Sequence, residues 1–411
     1  MKYELHAIKS VVGRGEIMTR LGDICEKIGS GATPHGGKEA YCLEGISFVR
    51  SQNIGDFSFS ANGLAHINNE QAKKLSNVEL KPNDILLNIT GDSVARTCII
   101  DSEYLPARVN QHVAIIRGKK DIVLSSYLLY FLQWKKKYLL QLASAGATRN
   151  ALTKSMIEQL EIELPTIEQQ RKIAGVIDKI QEKIKLNQKI NDNLEQQAVT
   201  YFQELYINNA NPMWQIGTIS DLGTVVGGST PSKTKPEYYT NNGIAWITPK
   251  DLSINKSKFI SHGENDITEL GLKNSSATVM PKGTVLFSSR APIGYIAIAS
   301  NEVTTNQGFK SVIPYLEIGT AFVYFFLKHS LPVIESAASG STFKEISGSA
   351  MKNIPAIIPD RSTLDQFNSF CAPIFAQQKI LEDQNYSLAM LRDSLLPKLM
   401  SGAIDIAGIQ L

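Results

Sequence analysis

The sequence predicts a mixed α/β (α+β) fold of two duplicated globular domains, each followed by a long helix, with the two helices pairing as an antiparallel coiled coil. Three observations predict it: blocks that recur in order along the chain, short apolar runs bounded by turn residues, and two segments with a helical apolar rhythm.

The duplication is the strongest signal. Asp23 through Gly29-Ser30-Gly31-Ala32-Thr33-Pro34 is echoed by Asp221 through Gly227-Gly228-Ser229-Thr230-Pro231, and Ile46 through Ile54 by Ile244 through Leu252. Lys81-Pro82-Asn83-Asp84-Ile85-Leu86-Leu87 pairs with Met280 through Leu286, Asn110-Gln111 with Asn306-Gln307, and Ala145-Gly146-Ala147-Thr148 with Ser339-Gly340-Ser341-Thr342. Five blocks at offsets of about 194 to 199 residues mean duplicated domains, because solenoid repeats are far shorter. A length of 411 residues suits two cores rather than one. The expected boundaries are 1–165 and 211–360 for the globular domains, 166–210 for the first long helix, and 361–411 for the second with a C-terminal tail.

Within each domain, Asp84 to Ile89, Thr97 to Ile100, Val113 to Ile116, Thr284 to Phe287 and Tyr295 to Ala299 read as strands set off by Gly, Pro, Asn and Asp. Ser125 to Leu142 and Ala321 to Ala338 read as apolar helices, and a Gly-Ala-Thr or Gly-Ser-Thr loop closes each domain. Polar loops on a sheet scaffold are where binding usually resides.

Each domain then gives way to a proline and a long helix. In the first, Ile173, Ile177, Ile180, Ile184, Asn187, Asn191, Leu194, Ala198, Tyr201 and Leu205 step by four and three, the spacing of a coiled-coil seam. Leu364, Phe367, Cys371, Ile374, Gln378, Leu381, Asn385, Leu388, Arg392 and Leu395 repeat it. Asn187, Asn191 and Asn385 either fix register and partner or meet solvent where the seam frays. Pro373 removes one backbone bond, which predicts a kink or a late helix start. Roughly 40 residues at 1.5 Å each give a rod of about 60 Å. Paired antiparallel, such helices would hold the domains well over one turn of B-DNA, about 34 Å, apart.

Composition bounds the function. Apolar residues make up 43% of the chain, as in soluble globular proteins, and the net charge is only +3, so any surface for nucleic acid must be local. Cys25, Cys42, Cys98 and Cys371 form no CxxC pair and the histidines no ligand spacing, so no metal is expected and the cysteines read as reduced, buried thiols of a cytosolic protein. Neither a signal-peptide core nor a bilayer span is expected; the longest apolar stretch, Tyr127 to Ala143, is broken by Lys135-Lys136-Lys137.

Catalytic motifs are weak throughout. Asn211-Pro212-Met213-Trp214 lacks the second proline of an amino-methyltransferase loop and reads better as a turn leading into the second domain. Gly31 through Lys38 has the glycines and lysine of a phosphate loop, but Glu39 stands where Ser or Thr should hold magnesium.

Taken together, the two copies of a variable α/β domain, each ending in a loop, a Leu-Pro or Ile-Pro step and a Glu-Gln-Gln or Asp-Gln helix, resemble the DNA specificity (S) subunit of prokaryotic type I restriction-modification systems. The resemblance runs from about residue 18 to the C-terminus and is most specific at Leu164-Pro165-Thr166-Ile167-Glu168-Gln169-Gln170-Arg171-Lys172-Ile173 and Leu80-Lys81-Pro82-Asn83-Asp84-Ile85-Leu86. The second copy departs from it: Pro359-Asp360-Arg361-Ser362-Thr363-Leu364-Asp365-Gln366-Phe367 carries three extra residues and lacks the basic pair. The resemblance implies a non-catalytic subunit in the cytoplasm of a prokaryote. Each globular half would be a target recognition domain reading one part of a split, asymmetric site on double-stranded DNA. The helices would set the gap and dock two methylation subunits, with restriction subunits joining, while S-adenosylmethionine, ATP and Mg belong to those partners and no cofactor to this chain.

Candidate DNA contacts are loop residues able to read base edges or hold phosphates. In the first half they are Thr33, Lys38, Arg50, Gln52, Asn53, Arg96, Arg108, Asn110, Gln111, His112, Arg149 and Lys154; in the second, Lys233, Lys235, Lys250, Arg290, Asn306, Gln307 and Lys344. Each also has an ordinary reading as a solvated charge or a turn-capping amide, and for Asn110-Gln111 and Asn306-Gln307, which recur in both copies, a shared structural job is the stronger one. Positions where the copies differ, such as Arg50 against Thr248 and Gln52 against Lys250, are where different half-sites would be read. Three rivals remain. A stand-alone two-headed DNA-binding regulator would not need partner-facing helices, a modification enzyme would need donor-binding loops, and a pure scaffold would leave the duplicated basic loops unexplained.

Overall fold

A computed structural model describes residues 11–12, 16–144, 150–340, 344–406 and 408. The chain divides into two compact units, Met1–Ile184 with Ser387–Leu411, and Lys185–Tyr386. Among the described residues no helix is long and apolar enough to cross a membrane.

In the first unit a four-stranded sheet runs in the order Cys25–Ser30, Val113–Gly118, Ile85–Asn88, Thr97–Ile99, all neighbours antiparallel. Ile85, Leu86 and Leu87 are all fully buried, because alternate side chains serve opposite faces and both faces are covered. Ile85 and Leu87, with Ile28, Ala114 and Ile116, pack on Leu128 and Phe131 of the helix Ser125–Trp134 and on Ile173 and Ile177 of the first long helix. Leu86, Cys98 and Ile115 face a second sheet of Ala65–Ile67, Ile46–Val49 and Ala107–Val109 through Phe48, Val49 and Val109.

The second unit repeats this plan on its own residues. Val285, Phe287, Ile298 and Val312 pack on the helix Thr320–His329, while Leu286, Ala297 and Ala299 meet Ile247 of a smaller sheet. The turn before each central strand shifts the correspondence by one residue from the sequence pairing, which set Asn83 opposite Lys282: Asn83 (φ 69°) and Gly283 (φ 87°) are the residues that both adopt the left-handed conformation, which Gly and Asn tolerate best. Next to each, Asp84 accepts from the Lys81 amide at 2.8 Å and Thr284 donates to the Pro281 carbonyl at 2.7 Å.

Two expected helices are interrupted. Ser125 to Leu142 is split at Lys135 into Ser125–Trp134 and Lys136–Ser144, and Ala321 to Ala338 at Ser330 into Thr320–His329 and Leu331–Ser336. The long helices span Ile167–Phe202, extended by a π-helical turn Gln203–Asn208, and Arg361–Met400. The first starts with a capping box in which the Thr166 amide donates to Gln169 at 2.9 Å and the Gln169 amide to Thr166 at 3.3 Å. The second starts on Asp360, which accepts from the Thr363 amide and from Trp214 Nε1, both at 2.9 Å. This helix begins twelve residues before Pro373, so there is no late start; the proline lies on the exposed side, where solvent can satisfy the carbonyl it leaves unpaired. In the first unit Ile173, Ala174 and Ile177 share a core with Leu396, Leu399 and Met400; in the second, Ala198 and Phe202 share one with Leu364, Phe367, Cys371 and Ile374.

Of the cysteines, Cys25, Cys98 and Cys371 are buried as expected but Cys42 is exposed. Burial pushes the Cys25 and Cys371 thiols up to about 12.

Candidate nucleic-acid interface

Strand direction gathers the loops of each unit at one edge of its sheets. In the first unit the Gly31 amide donates to the Val113 carbonyl at 2.8 Å and Ala32 to Val109 at 3.0 Å, so the loop after Cys25–Ser30 lies on the Asn110 turn. A β-carbon on Gly31 would stand 2.1 Å from the Val109 carbonyl oxygen, which is why only glycine fits there. The Asn110 amide donates to Val49 at 3.0 Å, which brings in the loop that begins at Arg50. Asn88 donates to the Ser51 carbonyl at 2.9 Å and to Ser93 Oγ at 3.0 Å, adding the hairpin loop of Arg96. Leu152 donates to Ile89 at 2.8 Å and Gly91 to Asn150 at 3.2 Å, which attaches the segment of Lys154.

The second unit builds the same junction from its own copy. A β-carbon on Gly228 would stand 2.0 Å from the Asn306 carbonyl oxygen; the Ser229 amide donates to Thr305 at 2.9 Å, Asn306 to Ile247 at 3.0 Å, Ser289 to Gly308 at 2.8 Å and Ile346 to Ser289 at 3.1 Å. Five loops thus converge in each unit, around residues 31, 50, 90, 110 and 150 in one and 228, 248, 290, 306 and 345 in the other.

Several of the candidate residues also serve this scaffold. Asn53 is fully buried; it accepts from the Arg50 amide at 3.0 Å and donates to the carbonyls of Ser60 at 2.9 Å and Asn62 at 3.3 Å, so no atom of it is left for a base. Asp251 does the same capping for the Thr248 amide at 2.7 Å. Arg108, 7% exposed, donates to the carbonyls of Ala72 and Ala107 and pairs with Glu79 at 3.1 Å, so it braces the smaller sheet. Asn110 accepts from the His112 amide at 3.2 Å and Asn306 from the Gly308 amide at 2.9 Å, which is the turn-capping job that their recurrence favours.

The remaining candidates reach the surface. Arg50 and Gln52 both donate to the Gly63 carbonyl, at 2.8 and 3.1 Å, so the two side chains are held on one acceptor. Thr33, Lys38, Arg96, Gln111 and Lys233 are exposed; His112 shares a 2.8 Å bond with Thr90, and Gln307 accepts from Thr230. Lys154, Lys235, Lys250 and Arg290 are paired with Glu158, Glu237, Glu264 and Glu345 at 3.4, 3.7, 2.6 and 3.2 Å. Glu264 holds the Lys250 ammonium above its usual range. Lys38 sits on the exposed 3-10 turn Gly37–Ala40, and Lys344 is exposed next to Glu345. Arg149 and the closing residues 145–148 and 341–342 lie outside the described residues. Asn88 was not singled out from sequence, although a buried asparagine ending the apolar run Ile85-Leu86-Leu87 was the available signal. The Asn211 to Trp214 segment is a turn, with the Trp214 amide on the Asn211 carbonyl at 3.0 Å.

Comparison with known proteins agrees with this architecture. The chain is 43% identical over 162 residues to the type I restriction enzyme MjaIX specificity subunit of Methanocaldococcus jannaschii, a match covering 39% of this chain and 37% of that protein. It is 24% identical over 412 aligned positions to the type I restriction enzyme HindI specificity subunit of Haemophilus influenzae, covering 81% of this chain and 88% of the relative. The crystal structure of the type I restriction-modification system S subunit from M. genitalium shares the fold at a TM-score of 0.53 and 15% identity, over 97% of this chain and 98% of that one. Residues 17–196 and 211–383 each match the type I restriction modification DNA specificity domain. With two copies of that domain covering most of its length, the chain belongs to the family of type I restriction-modification specificity subunits.

Proposed function

We propose that this chain reads a bipartite, asymmetric target on double-stranded DNA, one half-site with each loop cluster, and docks two methylation subunits through its long helices, with restriction subunits joining the complex. The observation that supports it best is the duplicated junction. A glycine pressed against a backbone carbonyl and a side-chain oxygen capping the next loop, from Asn53 in one copy and Asp251 in the other, build both loop clusters, while the positions they carry differ, half-buried Arg50 and exposed Gln52 against half-buried Thr248 and exposed Lys250. Shared scaffold with divergent tips suits two different half-sites, since arginine and glutamine read guanine and adenine edges and lysines hold phosphates without specifying.

In this reading residues 1–165 and 211–360 are the target recognition domains. The helices of 166–210 and 361–411 pair as an antiparallel coiled coil and act as spacer. The chain performs no chemistry; S-adenosylmethionine, ATP and Mg act on the partner subunits, in the cytoplasm of a prokaryote. Family membership favours this over a stand-alone regulator. The test is a selection from random duplex DNA by the chain co-expressed with the methylation subunits encoded beside it. A two-part motif with a fixed gap, recovered when those subunits co-purify, is the expected result; enrichment of a single uninterrupted site would overturn it.

A further inference from the structure

One residue of the second unit, Lys258, ties a recognition sheet to both long helices. Its amide and that of Phe259 donate to the two oxygens of Glu382 on the second long helix, at 2.8 and 3.1 Å. Phe259 opens the strand Phe259–Ile260 at the edge of the five-stranded sheet, paired with Ile298, so this fork grips the sheet by its backbone. The Lys258 ammonium turns inward. It bonds Glu195 on the first long helix and Gln378 on the second, the latter at 2.6 Å, and stands 4.1 Å over the Phe375 ring. Gln378 donates onward to the Asn191 carbonyl at 3.2 Å, and Lys328 bonds Glu195 from the solvent side at 2.6 Å. Lys258 is 8% and Gln378 3% exposed. A buried charge in such a network has no low-energy alternative position, because moving it strands its partners.

The duplication shows that this is more than general packing. Glu195 and Arg392 are equivalent positions 197 residues apart, as are Gln181 and Gln378. In the first unit Arg392 meets Gln181 at 3.0 Å and lies 4.1 Å over the ring of Phe57, which takes the place of Lys258 beside the hairpin strand. One copy therefore ties its sheet edge to a helix carboxylate through a lysine, where the other sets an aromatic ring of the sheet edge under a helix arginine.

We propose that Lys258 is a positioning residue for specificity: by fixing the angle of the second recognition domain on the helices, it sets which gap between half-sites the protein accepts. This rests on the functional reading above. The test uses the complex assembled with its methylation subunits and duplexes in which both selected half-sites are kept while the gap is changed one base pair at a time. Lys258→Met should enrich the same half-site bases as the wild type, yet its preference over gaps one base pair longer or shorter should fall at least about tenfold, equivalent to ~1.4 kcal/mol of lost restraint. Glu195→Gln, nearly isosteric, should do the same and serves if Lys258→Met fails to fold. Unchanged gap preference in a folded variant would overturn the proposal, as would a uniform loss of affinity at every gap. A wild-type complex that selects no two-part motif would instead overturn the functional reading.

Discussion

The side-chain amide of Asn187 donates to the carboxamide oxygen of Asn385 at 2.9 Å and to Gln384 at 3.3 Å, joining the two long helices within the second unit. Asn187 is fully buried, so it is not a frayed position meeting solvent. Its oxygen, and that of Asn191, are buried without a partner among the described residues. Asn385→Leu should lower the unfolding free energy by about 1–2 kcal/mol, because the Asn187 amide loses its better acceptor. The double variant Asn187→Leu, Asn385→Leu should recover that loss or exceed the wild type, as an apolar pair does in a seam. Urea unfolding of the three variants checks it; additive losses would contradict this account.

Gly31 and Gly228 should be the least replaceable residues of the loop clusters. Alanine at either forces a β-carbon onto a carbonyl oxygen at 2.1 or 2.0 Å, and overpacking of this kind costs roughly 1–3 kcal/mol or more. Because the clash lies at the junction and not at the tips, Gly31→Ala should weaken reading of one half-site while sparing the other. Binding to duplexes carrying each half-site in turn would show this, and equal loss at both would count against a local effect.

Arg96 and Arg108 should separate a binding role from a bracing one. Exposed Arg96 should contribute to DNA affinity, so Arg96→Ala is expected to reduce the slope of log affinity against log salt by about 1 with little change in stability. Buried Arg108 should behave in the opposite way: Arg108→Ala should lower the unfolding free energy by about 2 kcal/mol and leave the selected bases unchanged. Salt titrations of binding together with thermal unfolding distinguish the two.

Glu195 predicts an acid-side dependence of stability. Burial works to raise its pKa, but Lys258 and Lys328 outweigh burial and hold it below the usual 4.5. A depressed carboxylate contributes stability above its unfolded value and loses it as pH falls through the folded one. The stability gap between wild type and Glu195→Gln should therefore be full above pH 4.5 and narrow below it. Burial raises Glu382, which gives a slope of opposite sign, so the comparison with the Glu195 variant isolates the contribution of Glu195. A gap that stays constant down to acid unfolding would be inconsistent with the ion pair of Lys258 and Glu195.

Sequence alone determined the duplication, the α/β class, the strand runs and the extent of the long helices, because these depend on periodicity and on turn residues that act within a few positions of themselves. Ile173, Ile177, Phe367 and Cys371 are among the seam positions that are buried, as their spacing required. Tertiary structure alone decided which polar loop residues face outward. Asn53 and Gln52 are neighbours of similar chemistry, yet one is enclosed by Arg50, Ser60 and Asn62 and the other is exposed, since burial is set by segments that come together only on folding. The same holds for Arg108, whose partners Ala72 and Glu79 lie in a distant stretch of sequence, and for Lys258, which looks like any surface lysine until two helices and a sheet edge close around it.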